Sequence, residues 1–472
     1  MSPLFRASTI PVAPEREFVL TESSPSAEDT SAWIADHVWL GGTDLVPDVR
    51  IEVRNDLIVS VSPDAGGPPA SRLRGVVVPG LVNAHSHAFH RLLRGRTHRQ
   101  GGDFWLWRDR MYEIAASLTP ESYERLATAV FVEMAMAGIT TVGEFHYLHH
   151  QMGGTPYTDH NEMGHALVRA ARRAGIRIAL LDAGYLRSGF DEQPLHPAQT
   201  RFRDATAEVW LDRVDAVAET YVGDPDVVVG LAPHSVRAVS REGLDEVARR
   251  HLPGAPLHIH LSEQPAENRD CLAATGLTPT GLLGYVGLLG PDTTLVHATH
   301  LSEGDIAAIG TAGATVCYCA TTERDLADGI GPAARLSAVG TPLCVGTDSH
   351  AVIDIFEEAR GIELHTRLAT GRRGVFSPES LLAAATGNGL ASLGFPKSGL
   401  AAGSPADFVV IDPDSPRLVG MRGDTALDSV VFAATAADIS AVYVAGRPIV
   451  DEGLHREWED VRGSLDEPPT GQ

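Results

Sequence analysis

Eight short apolar runs, spaced between Val76 and Asp348 and alternating with helical stretches, constrain the fold more than any other feature of the 472 residues. They are Val76 to His85, Ile139 to Tyr147, Ile176 to Gly184, Val227 to His234, Pro256 to Ser262, Thr293 to Thr299, Ala314 to Cys319 and Pro342 to Asp348. Period-2 alternation is missing from them, as expected of strands buried on both faces of a parallel sheet. Helix signals fill the gaps. Thr119-Pro120-Glu121 sets a cap, a proline at the first helical position and an acid in the first turn, with Gly138 as the stop, and Ser377-Pro378-Glu379 repeats the opening. Strands and helices alternating in this number match an α/β fold, the (β/α)8 TIM-like barrel.

The flanks read differently. Ala35 to Leu40, Val49 to Val53, Leu57 to Val61 and Val76 to Val78 are short β-type runs, and Asp407 to Asp412 and Ala441 to Val450 resume that pattern, the last around a Gly-Arg turn. Each segment is too short for a core of its own. Residues 31–79 and 396–460 are therefore expected to merge into a small composite β-sheet domain, with the barrel at 80–395 and a tail at 461–472. Residues 1–30, Pro- and Ser-rich near their end, read as a loosely ordered extension.

Composition removes several function classes. Lys and Arg total 38 against 61 Asp and Glu, a net charge of −23 that repels phosphate backbones and argues against nucleic acid as a partner. No apolar run approaches the roughly 20 residues of a membrane span, so a soluble chain with no membrane partner is expected. Met1 to Glu22 has no continuous apolar core of the signal-peptide kind. Cys271, Cys317, Cys319 and Cys344 form no C-x-x-C pair, read as buried packing residues, and fit a reducing, cytoplasmic setting.

Polar residues gather at the ends of the runs. His85 and His87 close the first, Glu144, His146 and Tyr147 the second, His234 the fourth, and His260 and Glu263 the fifth; His297 lies in the sixth and Asp348 closes the eighth. In a barrel all C-terminal strand ends meet on one face, where active sites are assembled. Imidazoles two residues apart on an extended strand point to the same side. With His260 and Asp348 they make an N₃O set for one divalent metal ion, Zn²⁺ first and Fe²⁺ less specifically. Water held by such an ion has a pKa near 7 and becomes a nucleophile. His260 is the ligand of its strand because it lies nearer the mouth, whereas His258 reads as a hydrogen-bonded interior residue. Glu263, beyond the strand end, is placed to shuttle protons, and His297 to polarise a substrate group. His300 reads as a surface or capping residue, and His146, His149 and His150 as a supporting or solvated cluster rather than a second metal centre.

In this order His85-x-His87, His260-x-x-Glu263, His297 and Asp348 resemble the amidohydrolase superfamily, in its single-metal deaminase branch. Within that branch the chain is similar to the formimidoylglutamate deiminases (N-formimino-L-glutamate iminohydrolases) of histidine degradation. The likeness lies in His85-Ser-His-Ala-Phe89, Phe104-Trp-Leu-Trp-Arg-Asp-Arg-Met-Tyr112, Gly143-Glu-Phe-His-Tyr-Leu-His-His150, Ala232-Pro-His-Ser-Val-Arg-Ala238, His258-Ile-His-Leu-Ser-Glu-Gln264, Val296-His-Ala-Thr-His300 and Gly346-Thr-Asp-Ser-His350. The resemblance implies zinc on His85, His87, His260 and Asp348, Glu263 and His297 in proton transfer and polarisation, and a homodimer. It also implies substrate contacts from Arg108, Tyr147, His234 and Arg237. His90 stands where the family usually has a substrate-contacting Gln, and Ala320 where relatives tend to have Pro.

The implied reaction is metal-dependent deimination of N-formimidoyl-L-glutamate to N-formyl-L-glutamate and ammonia. Asp348 would take a proton from the attacking water and Glu263 would deliver protons to nitrogen. A small anionic substrate with two carboxylates needs fixed cations, and Arg108 and Arg237 suit bidentate binding. At a net charge of −23 they must act locally. Two alternatives stay open: a deaminase or dechlorinase of a guanine- or triazine-like ring stacked on Phe89, Phe104, Trp105 and Trp107, and a metal-free barrel serving as a binding or scaffold protein.

Overall fold

A computed structural model describes residues 30–98, 104–190, 195 and 197–465. The expected N-terminal extension, apart from Thr30, and the end of the tail lie outside the described residues.

Two eight-stranded sheets organise the chain. The first four strands are β1 (Thr30–Val38), β2 (Val46–Arg54), β3 (Leu57–Pro63) and β4 (Ser71–Pro79). Next come β5 (Leu81–Ser86), β6 (Ile139–His146), β7 (Arg177–Gly184), β8 (Val227–Pro233), β9 (Leu257–Leu261), β10 (Thr293–His297), β11 (Thr315–Tyr318) and β12 (Leu343–Val345). The last four are β13 (Phe408–Ile411), β14 (Ile439–Val444), β15 (Arg447–Asp451) and β16 (Leu454–His455).

Strands β5 to β12 lie side by side in sequence order, all parallel. A parallel bridge between Ser86 and Asp348 closes the ring, with the Asp348 N–H donating to His85 O at 3.0 Å and the His87 N–H to Asp348 O at 3.2 Å. This is the expected (β/α)8 barrel. β5, β6, β7, β9 and β10 are buried at every position, which explains their lack of alternation. The closing seam depends on Gly346, because a Cβ there would stand 2.6 Å from His85 O.

The run from Val76 to His85 is not one strand. Its first part belongs to β4 in the other sheet, and the chain enters the barrel only at Leu81, after Gly80. That second sheet has the order β16-β15-β14-β13-β4-β1-β2-β3. The N- and C-terminal segments merge where β4 pairs antiparallel with β13, Val76 opposite Ile411 through Pro79 opposite Phe408. Trp33 packs edge-on against Phe408 at 5.5 Å, and Phe408 stacks on Tyr443 at 4.5 Å, forming a core apart from the barrel's. The β14–β15 hairpin turns through Ala445 and Gly446, at φ 52° and 71°, as a tight primed turn requires, so Arg447 begins the strand rather than the turn.

The helix Pro120–Met136 starts as expected, capped by Thr119 in a reciprocal box with Ser122, and helix Pro378–Ala384 is capped by Ser377. All four cysteines are buried free thiols. Among the described residues no helix is long and apolar enough to cross a membrane.

Candidate active site

The C-terminal ends of the barrel strands bring His85, His87, His260, His297 and Asp348 together. His85 lies at the end of β5, His87 one residue beyond it, His260 near the end of β9, and His297 closes β10. Asp348 follows β12 by three residues. His260 Nε2 and His85 Nε2 are 3.2 Å apart, and Asp348 Oδ1 lies 3.4 Å from His87 Nε2 and 3.6 Å from His85 Nε2.

Two backbone carbonyls set the imidazole tautomers. His87 Nδ1 donates to Phe145 O at 2.8 Å and His260 Nδ1 to His234 O at 2.9 Å, so each Nε2 turns a lone pair inward. Burial lowers the pKa of His85, His87 and His260 and keeps them neutral. Asp348 behaves oppositely: burial would raise its pKa, but the hydrogen bond to His85 and the charge of the His297 imidazolium hold it well below the usual carboxylate range. Two inward lone pairs, the His85 Nε2 beside them and one carboxylate, all buried, fit a divalent metal ion.

The mouth is held in strained backbone. Ser262, His297, Ala298, Asp348 and His350 adopt φ of 50°, 69°, 48°, 44° and 59°, a left-handed region costly for non-glycine residues and found where geometry is imposed for function. A polar network pins it. Ser86 Oγ donates to Glu144 Oε2 and Ala88 N to Glu144 Oε1, both at 2.6 Å. Ser86 also meets His350 Nε2 at 3.2 Å, and Asn83 exchanges two hydrogen bonds with Thr347, at 2.7 and 2.9 Å. β5 and the loop of Asp348 are thereby locked in register.

His297 Nε2 lies 3.9 Å from both Glu263 Oε1 and Asp348 Oδ2, and its Nδ1 lies 3.5 Å from Glu323 Oε1. Burial alone would lower its pKa, but Glu263, Glu323 and Asp348 outweigh burial and raise it to about 10. His297 is an imidazolium at neutral pH.

Above the histidines is a cavity lined by His90, Arg108, Tyr147, His234, Arg237 and Glu263 together with Trp107, Tyr112, Tyr185, Phe202 and Leu326. Arg108 and Trp107 come from the helix Phe104–Ser117, and Arg108 lies over the Tyr112 ring at 5.7 Å. His90 Nε2 and the Tyr147 hydroxyl are 2.6 Å apart. Burial pushes His90 and His234 down to about 3, so both rings are neutral. Tyr147, Tyr185 and His234 are each the first residue past β6, β7 and β8. Tyr185 was thus findable by the rule that picks out its neighbours. Glu323, from the short helix Ala320–Asp325, carried no such signal.

Other expected residues lie away from the cavity. His258 is buried, with Nε2 donating to Ser392 O at 2.8 Å, and half-buried His300 donates to Asp328 O at 2.8 Å. Phe89 is buried against His90 and Tyr147 and does not line the cavity, while the side chains of Phe104 and Trp105 fall outside the described residues. His146, His149 and His150 are not solvated: all three are buried beside Asp182 and Asp204. His146, His149 and Asp182 have metal-like spacing, but Asp182 already accepts from Arg213 at 2.7 and 2.8 Å and from Trp210 at 3.0 Å. Arg213 supplies the positive charge there, and a second cation would be repelled.

Comparisons with known proteins agree with the barrel fold. The Amidohydrolase family profile matches residues 76–449. Formimidoylglutamate deiminase of Pseudomonas aeruginosa is 36% identical over 419 residues, covering 86% of this chain and 92% of that protein. 8-Oxoguanine deaminase of the same organism is 33% identical over 391 residues, covering 81% and 84%. The crystal structure of an amidohydrolase from Brucella melitensis superposes with a TM-score of 0.87 at 35% identity, covering 93% of this chain and 99% of that one.

Proposed function

The chain belongs to the amidohydrolase family, and from that premise we propose that it hydrolyses N-formimidoyl-L-glutamate to N-formyl-L-glutamate and ammonia. Family and relatives support a hydrolase acting on C–N bonds. The observation that carries the substrate choice is Arg237. It faces the cavity, closes no hydrogen bond from its guanidinium among the described residues, and has Arg108 on the same wall. Two guanidiniums around a cavity suit a substrate with two carboxylates.

His85, His87, His260 and Asp348 would hold one divalent ion, Zn²⁺ by the chemistry of an N₃O set, and such an ion when bound polarises the substrate and brings the pKa of water to about 7. Asp348 accepts the proton of the attacking water. Water adds to the formimidoyl carbon, Glu263 relays to the nitrogen first the proton taken up by Asp348 and then that of the new hydroxyl, and the C–N bond breaks to release ammonia and leave the formyl carbonyl. His297, an imidazolium beside both carboxylates, stabilises charge that develops during attack. Tyr147, His234 and His90 shape the wall around the reacting group, while Arg108 and Arg237 bind the acids.

Ammonia release by the metal-loaded protein tests the reading: turnover of formimidoylglutamate above background is expected, and none would refute it. Trp107, Tyr112, Tyr147, Tyr185 and Phe202 line the same cavity and favour a second reading, deamination of a stacked heterocycle such as 8-oxoguanine. Efficient turnover of such a ring with no activity on the diacid would select it.

A further inference from the structure

Buried and half-buried arginines divide by how their N–H donors are used. Arg213 gives Nη1 to Asp182 at 2.7 Å and Nη2 to Asp204 at 2.9 Å, and Arg177 gives Nε to Asp407 at 2.8 Å. Arg237 differs. Its Nε is buried with no acceptor, and its nearest carboxylate oxygen, Glu267 Oε2, stands 3.8 Å away, beyond hydrogen-bond reach. Arg237 is still 36% exposed through the rest of its side chain, where it meets the cavity.

Glu267 is the counterpart. It sits in the first turn of the helix Pro265–Thr275, its side chain is 1% exposed, and neither oxygen meets a donor in good geometry. It does not line the cavity; it stands behind the wall that Arg237 presents. A buried carboxylate so weakly satisfied is costly. Burial raises the Glu267 pKa to about 7, against the pull of Arg237 and of the Ser262 and Glu263 amides that approach it, with the Glu263 charge adding to the rise. A merely structural pair would be closed, as Arg213 with Asp182 is.

We propose that Glu267 is a positioning residue for substrate-carboxylate recognition: its buried charge holds the Arg237 guanidinium at the cavity wall through an ion pair left open, so that the N–H fork remains available to a ligand carboxylate. This rests on the reading of Arg237 as a carboxylate binder. An untethered arginine loses rotamer freedom when it binds, and that loss weakens affinity. Glu267 also repels an incoming carboxylate, but from the far side of the guanidinium, and the tether outweighs that repulsion.

Glutarate titrated calorimetrically into the metal-loaded full chain tests this, because glutarate needs the arginine but no turnover. Glu267→Gln should weaken binding about tenfold, Arg237→Met at least as much, and the double variant no more than Arg237→Met alone. Glu267→Asp should recover part of the loss. In steady state Glu267→Gln should raise KM for the diacid and leave kcat within about threefold. Additive losses, unchanged or tighter binding in Glu267→Gln, or no glutarate binding to the wild type would overturn the inference. Absence of formimidoylglutamate turnover with the glutarate pattern intact would remove the assigned substrate alone.

Discussion

Two clusters of histidine and aspartate lie in the same barrel, built from similar residues and equally buried. His85, His87, His260 and Asp348 turn three ring nitrogens and a carboxylate toward one another, with backbone carbonyls spending the outer nitrogens of His87 and His260. In the other cluster Asp182 and Asp204 are taken by Arg213, and His149 Nε2 donates to Ala183 O at 2.9 Å. Residue type and spacing do not separate the two. What separates them is whether an internal cation has already satisfied the acids.

The largest expected effect breaks the first cluster. Asp348→Asn should lower the rate of ammonia release about 10³-fold or more, through metal binding and proton transfer together, whereas His149→Gln should change turnover per folded molecule by no more than about threefold. Stability should reverse the order. Arg213→Met leaves two buried carboxylates without their cation and should cost about 3–5 kcal/mol in urea unfolding. Arg237→Met removes the partner of a single buried carboxylate, Glu267, which can take up a proton, and should cost less, about 1–2 kcal/mol. In kinetics that variant should raise KM for the diacid about 10- to 100-fold, from the loss of charged hydrogen bonds, with kcat little changed.

The smallest effect is a pH dependence. Burial would raise the pKa of Asp204, but the hydrogen bond to His150 and the charge of Arg213 hold it below the usual carboxylate range. A depressed folded-state pKa gives stability that is complete above the unfolded value of about 3.9 and lost as pH falls below it. The urea midpoint should therefore fall more steeply from pH 5 to pH 3 in the wild type than in Arg213→Met.

Much of this contrast is readable in the chain, and the unread part has physical causes. Strands buried on both faces leave continuous apolar runs, so the barrel is legible. The crossing from β4 to β5 is not, because Val76–Pro79 and Leu81–Val82 are apolar on both sides of Gly80 and the chain changes sheets without a polar turn. The histidines and aspartate of the mouth stand at strand ends, where position predicts convergence. Glu267 and Glu323 reach their partners from helices that follow strands, at spacings no rule fixes. His146, His149 and His150 read as a supporting or a solvated cluster, with nothing to choose between the two, because Arg213, which helps enclose them, comes from the distant helix Ala207–Thr220.

Metal stoichiometry in matched variants tests the distinction most directly, read by elemental analysis of protein dialysed without chelator. One equivalent of divalent metal in the wild type and in His149→Gln, falling to nearly none in His87→Ala, is the predicted result. Two equivalents in the wild type, or full occupancy in His87→Ala, would contradict it.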